Sequence, residues 1–281
     1  MVKRSFHRAL LLTALTYLGL AVGLVFAGFP ILWMFFTSLK SNTEIFALPP
    51  RLLPEQFTSV AYLSIFADPV KIQFFVNSYL VAGAVTLLTV LIAIVTAYGF
   101  SRYSFRFKNT LNVFIISTQT VPPITLLIPY FGMVVSFGIF DTYFALILTY
   151  LVFTLPYAIL LMTGYLNTLP KELDEAVLLD GGSSWTALWR VLVPLSVPGI
   201  VATAVYTFLL AWTEVLFALT LTKSMDMRTV PIGIELLMGQ HAFEWNEMMA
   251  MSVLGSLPLL LLYLIAQRYF LAGMTAGSVK S

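Results

Sequence analysis

The chain has 281 residues, 59% hydrophobic and 10% charged, with mean hydropathy +0.93, where an ordinary soluble domain carries about 25% charged residues. This composition excludes a water-soluble globular protein and predicts a polytopic membrane protein, all-α because lipid offers no partner for open backbone groups. With no cysteine, and with only His7 and His241 far apart in sequence, disulfides and thiolate chemistry are excluded and a metal site is not expected.

Lys3, Arg4 and Arg8 precede an apolar run from Ala9 to Leu39. A signal-peptide core is about 7–15 residues long, so this longer run reads as a retained first span. Five more runs follow, Phe75–Phe100, Leu111–Val134, Tyr143–Tyr165, Leu195–Leu219 and Met248–Gln267, each of the ~20 residues a bilayer core demands. Six spans with both termini in the cytoplasm place ten of the fifteen Lys and Arg residues inside, as the positive-inside rule requires. The chain thus divides into a first span and outer loop (1–74), a membrane core (75–267) with an inner loop at 168–194, and a tail (268–281).

Prolines at 49, 50, 54 and 69 predict an ordered, extended outer loop between spans one and two. Span two is rich in small residues, Ala82, Gly83, Ala93 and Ala97 among them, which suits close helix approach and an interior position. The basic, aromatic stretch Tyr98–Lys108 that follows reads as a positive-inside interface anchor, not a nucleic-acid site. Span three contains Gln119-Thr120-Val121-Pro122-Pro123. Two readings stand there: a plain kink, or a helix broken where it lines a solute route, with Gln119, Thr120 and Thr125 as polar contacts. Gly138–Asp141 forms a tight turn, and span four returns with Pro156 to the inner loop.

In that loop Pro170 suits a first helical position, and Leu169, Leu173, Ala176 and Val177 recur at helical spacing before Asp180-Gly181-Gly182 stops the helix. Ser183 or Ser184 caps a second helix whose Trp185, Leu188, Trp189 and Leu192 form one stripe, and Pro194 ends it. The stripe either packs on the protein's own span ends and the headgroup layer or serves as a knob for a partner's groove.

Glu214 is the one acid or base within the six runs. An interhelix hydrogen bond near the outer interface and a role in the permeation path or outer gate are its two readings. The outer loop Thr220–Glu247 is aromatic and acidic, an interaction surface or simply a solvated loop. Span six leads into Gly273-Met-Thr275-Ala-Gly277-Ser-Val-Lys280, whose small residues suit close backbone approach but equally a free end.

The order Glu175-Ala176, Asp180-Gly181, Trp185, Leu188, Val191, Pro194 and Pro198 resembles the cytoplasmic coupling loop of ABC importer permeases. Val177 and Gly182 stand where alanines are usual, and Leu188 where Phe is usual. The Ala211-Trp-Thr-Glu214 stretch resembles the family's Trp-Asn-Glu, with Thr213 in place of Asn, and the tail resembles that of the second permease subunit of maltose-type sugar importers. The resemblance implies the type I importer permease fold and a loop that inserts into a cleft on the ATPase, with the tail reaching between ATPase subunits. It also implies a partner permease, a dimeric ATPase that binds ATP and Mg, and an extracytoplasmic solute-binding protein. No Gly-x-x-x-x-Gly-Lys-Ser/Thr loop or Gly-x-Ser-x-Gly elbow occurs, so no ATPase or hydrolase site is expected here. The expected cargo is a sugar, with Gln119, Thr120, Pro122, Pro123, Thr125 and Glu214 as the substrate path. Glycerol phosphate or a polyol is the alternative cargo, and a six-helix passive channel the alternative class.

Overall fold

A computed structural model describes the backbone of residues 2–238 and 244–277 and the side chains of residues 12–238 and 244–269. The elements in order are α1 (Val2–Ser38), α2 (Asn42–Ile45), α3 (Val60–Ala67), α4 (Pro69–Arg102), α5 (Lys108–Thr118), a 3-10 turn (Pro123–Leu126), α6 (Leu127–Ser136), α7 (Tyr143–Leu166) and α8 (Glu172–Leu179). They continue with α9 (Ser184–Thr186), a π segment (Ala187–Leu192), α10 (Val193–Leu195), α11 (Val197–Trp212), α12 (Leu216–Leu221), a 3-10 turn (Met225–Met227), α13 (Val230–Leu236) and α14 (Trp245–Gly277). No strand occurs among the described residues.

Four helices are long and apolar enough to cross a bilayer unaided: Leu12–Ser38, Pro69–Arg102, Tyr143–Leu166 and Trp245–Tyr269. Expected span three is a bent pair, and the inner-loop piece Ser184–Leu195 is bent against the start of expected span five. Lys108–Thr118 and Pro123–Ser136 meet at 93°, and Ser184–Leu195 meets Val197–Trp212 at 78°. Span three is therefore broken at Gln119–Pro122, not merely kinked, because Pro122 and Pro123 remove two consecutive donors. Span five is also interrupted at its far end, where Thr213–Val215 separate α11 from α12.

The described chain forms two compact units, one of Met1–Asp68 with Ile234–Gly255 and one of Pro69–Gly233 with Ser256–Ser281. In the first, the proline-rich loop is ordered by polar contacts. Lys40 is 4% exposed; its Nζ donates to the Arg51 carbonyl and lies 5.3 Å from the Trp33 ring centre. Glu44 Oε1 accepts from the Glu55 N–H at 2.6 Å, and Asn42 Nδ2 donates to Glu244 Oε2 at 2.6 Å.

The second unit is built on α4, α7 and α11. Small residues set their spacing: Ala82, Ala93, Ala97 and Ala158 are fully buried, and a Cβ at Gly199 would lie 2.5 Å from the Tyr165 ring. Two apolar clusters result. Val81, Val85, Leu146, Trp212, Phe217 and Leu221 form one; Ile94, Met162, Leu166, Leu188 and Leu192 belong to the other, at the 168–194 end. Between them the Thr89 and Thr154 hydroxyls bond at 2.8 Å, satisfying two buried polar groups across α4 and α7. The far end of α4 is clasped by polar contacts. Asn77 Nδ2 donates to the carbonyls of Asp226 and Arg228 at 2.8 and 2.7 Å, while its Oδ1 accepts from Gln73 and Tyr143.

Candidate functional site

The 168–194 segment folds as two short helical pieces around a glycine turn. Helix α8 starts at Glu172, two residues after Pro170, so the proline precedes the helix and does not occupy its first position. Glu172, Asp174 and Glu175 fill its first turn, the end at which carboxylates complement the helix dipole. The chain reverses at Gly181, with φ +78°, and Gly182 N–H donates to the Val177 carbonyl at 2.8 Å. Ser183 is the cap of the second piece, accepting from the Thr186 N–H at 3.2 Å.

Pro194 does not end that piece, which runs to Leu195 and bends at the buried Ser196. The proline has no N–H for the carbonyl four residues earlier, and the helix ahead of it widens to π form over Ala187–Leu192. The expected single stripe divides accordingly. Leu188 and Leu192 are 1% and 0% exposed and pack with Met162 and Leu166. Trp185 and Trp189 are 58% and 41% exposed and stack on each other, centroids 6.2 Å apart at 12°. Glu175, Ala176, Leu179, Asp180 and Gly181 are exposed on the same segment. Packing on the protein's own span ends thus holds for Leu188 and Leu192, while Trp185 and Trp189 are left exposed.

The segment is tied to the membrane core through polar groups. Asp174 accepts from Arg102 Nε at 2.8 Å and from the Tyr98 hydroxyl at 3.0 Å, and Tyr103 donates to Ser184 Oγ at 3.0 Å. Within the Tyr98–Lys108 stretch, Arg102 is thus held in a buried ion pair.

Of the expected substrate-path residues, the structure brings Pro123 and Glu214 together. Both line a cavity of about 490 Å³ with Tyr150, Phe153, Thr154 and Phe217. Glu214 makes no interhelix hydrogen bond of the expected kind: its carboxylate accepts from the N–H groups of Phe217 and Ala218, at 2.8 and 2.9 Å, and so starts α12. The Tyr150 hydroxyl, buried on α7, faces that carboxylate. Gln119, Thr120, Pro122 and Thr125 are exposed and lie outside the cavity lining. The Thr120 and Thr125 hydroxyls donate to the nearby carbonyls of Ser117 and Pro122, each at 2.7 Å. Tyr150, Phe153 and Phe217 escape a sequence reading, since aromatics within apolar runs look alike whether they face lipid or a cavity.

Gly273, Thr275 and Gly277 lie in the last turns of α14, continuous with span six, and their side chains are outside the described residues. Lys280 and His241 lie outside the described residues altogether.

Residues 89–276 match the family described as "Binding-protein-dependent transport system inner membrane component". The chain is 35% identical over 266 residues to the inner membrane ABC transporter permease protein YcjP of Escherichia coli K12, covering 94% of this chain and 95% of that one. It is 34% identical over 255 residues to the trehalose/maltose transport system permease protein MalG of Thermococcus litoralis, covering 90% and 91%. Among solved structures, a bacterial ABC transporter that imports the acidic polysaccharide alginate superposes with TM-score 0.79 at 19% identity, over 92% of this chain and 96% of that one. With the family matched over residues 89–276 and these relatives aligned along nearly the whole chain, the chain belongs to the binding-protein-dependent transport system inner membrane component family, the permeases of ABC importers.

Proposed function

We propose that this chain moves a sugar across the bacterial cytoplasmic membrane, performs no chemistry itself, and works as half of a heterodimer with a second, similar permease. In this reading a dimeric ATPase binds ATP and Mg, an extracytoplasmic solute-binding protein delivers the solute, both chain ends lie in the cytoplasm, and no nucleic acid is involved. The observation that carries it is the 168–194 segment, whose leucines anchor it inward while the stacked Trp185 and Trp189 stand in solvent. Two large aromatics held rigidly outside a fold are the kind of anchor that fills a partner's groove. Glu175, Ala176, Asp180, Gly181 and Pro194 shape that knob, and ATPase closure would drag it and rock the spans.

The sugar class is supported by the trehalose/maltose permease, which is similar along nearly its whole length. The cavity fits such a cargo: Tyr150, Phe153 and Phe217 offer faces for the apolar side of a sugar ring, and Glu214 offers a fixed acceptor for hydroxyls. Gln119, Thr120, Pro122 and Thr125 then border the broken helix beside it.

The test is purification of the chain from its native cells in mild detergent, with mass spectrometry of co-purifying proteins and of the binding protein's ligand. A second permease, an ATPase and a sugar-loaded binding protein are expected. A glycerol phosphate or polyol ligand would overturn the sugar assignment, and the chain recovered alone after mild cross-linking would overturn the importer.

A further inference from the structure

We propose that the buried Arg102–Asp174 pair is the joint through which the Glu175–Pro194 segment carries α4 with it, so that α8 and α4 move as one body. The proposal rests on the coupling role above and names the positioning residues that make it mechanical. Three acids open α8, and Glu172 and Glu175 are exposed, but Asp174 turns inward. Its side chain is 13% exposed and that of Arg102 is 6%. Both carboxylate oxygens are engaged from α4: Oδ2 by Arg102 Nε at 2.8 Å, Oδ1 by the Tyr98 hydroxyl at 3.0 Å. Tyr98 and Arg102 are one helical turn apart, so they grip Asp174 from a single face of α4. Arg102 Nη1 also donates to the Leu166 carbonyl at the end of α7, 3.1 Å away, which joins three helices at one guanidinium.

Stability alone does not account for this arrangement. A buried ion pair is often matched or bettered by apolar side chains of the same volume. Arg102 Nη2 is moreover buried with no hydrogen-bond partner among the described residues, and such a donor costs stability. Leu169 and Leu173 already pack the segment against its core cluster. Apolar contacts, however, are non-directional and allow sliding, whereas two charge-assisted hydrogen bonds at fixed angles resist shear. A segment pulled from outside needs that kind of fastening to the helix it must move.

The absence of cysteine allows a direct test. Spin labels are placed on Leu87→Cys in α4 and Glu172→Cys at the start of α8, both exposed and outside the Glu175–Pro194 segment, in the importer assembled with its ATPase in nanodiscs. The distance is compared between the nucleotide-free and ATP–vanadate states. With the native pair it should change by less than about 2 Å, the scale of small helix shifts, and in Asp174→Asn by about 4 Å or more while ATP turnover persists. Asp174→Glu should restore the small change. If Asp174→Asn does not assemble, the double variant Arg102→Met with Asp174→Leu removes the joint without stranding a charge, and should show the same large change. A large change in the native protein, or a small one in the variant that assembles, overturns the joint while leaving the coupling role intact. Failure of any ATPase to assemble with the native chain overturns both.

Discussion

Gly182 shows how a single missing methyl group is coupled to its surroundings. A Cβ there would lie 2.6 Å from the Val177 Cγ1 atom and 2.9 Å from the Val177 carbonyl oxygen. In the related coupling loops small alanines are usual at both positions; here the larger residue at 177 occupies space the smaller one at 182 leaves open. Gly182→Ala should therefore destabilise the segment by about 1–3 kcal/mol, the ordinary cost of overpacking. Adding Val177→Ala removes the tighter contact but not the one to the carbonyl, so it should restore only part of the loss. Thermal unfolding of the detergent-purified chain checks this, and full rescue, or no loss in the single variant, would contradict it. The departures from the family pattern at 177 and 182 were visible in the sequence; that they face each other was not, because a helix end followed by a left-handed Gly181 does not keep helical spacing.

At the scale of the element, the segment 184–195 holds its own place through Leu188 and Leu192 and leaves Trp185 and Trp189 exposed, free for the proposed ATPase contact. Trp185→Glu should then insert and fold normally yet weaken ATPase co-purification at least tenfold, since truncating an aromatic anchor costs about 2 kcal/mol or more. Normal insertion with undiminished ATPase recovery would remove the knob from the mechanism. The stripe was legible as amphipathic, but its division was not, because the π widening ahead of Pro194 depends on how the helix joins span five. The turn between α6 and α7 carries a pH dependence of its own. Asp141, at φ +62°, accepts from the backbone N–H groups of Lys223 and Ser224. Burial works to raise its pKa, but these hydrogen bonds, and after them the charge of Arg228, hold it below the usual carboxylate value. A depressed folded-state pKa adds stability above the unfolded value, about 3.9, and that contribution is lost as pH falls through the lower folded value. Asp141→Asn should lower stability at neutral pH and flatten its decline between about pH 5 and the folded pKa; parallel acid-side curves for both proteins would contradict the clasp.

Across the whole molecule, the six apolar runs were legible because each carries the length a bilayer demands, and the breaks at Gln119–Pro122 and Ser196 were signalled by nearby prolines. The break at Thr213–Val215 was not, since it depends on Glu214 turning back to start α12. Nor was the burial of Arg102, whose partner lies 72 residues away in sequence. Orientation rests on charge alone: ten Lys and Arg residues fall on one side and five on the other. Residue 46 follows the first span and residue 179 the fourth, so three crossings separate them and they must lie on opposite faces. Phe46 and Leu179 are 64% and 88% exposed, and the chain has no native cysteine, so one cysteine at either position reports one side. In intact cells, with the outer envelope made permeable, Phe46→Cys should react with a membrane-impermeant maleimide. Leu179→Cys should react only after the cytoplasmic membrane is opened. The reverse pattern would place the Trp185–Trp189 knob outside the cell, beyond the reach of any ATP-binding partner. Reaction of both in sealed cells would mean that the bent pair Lys108–Thr118 and Pro123–Ser136, which lies between the two positions, enters and leaves the bilayer on the same side, leaving five crossings.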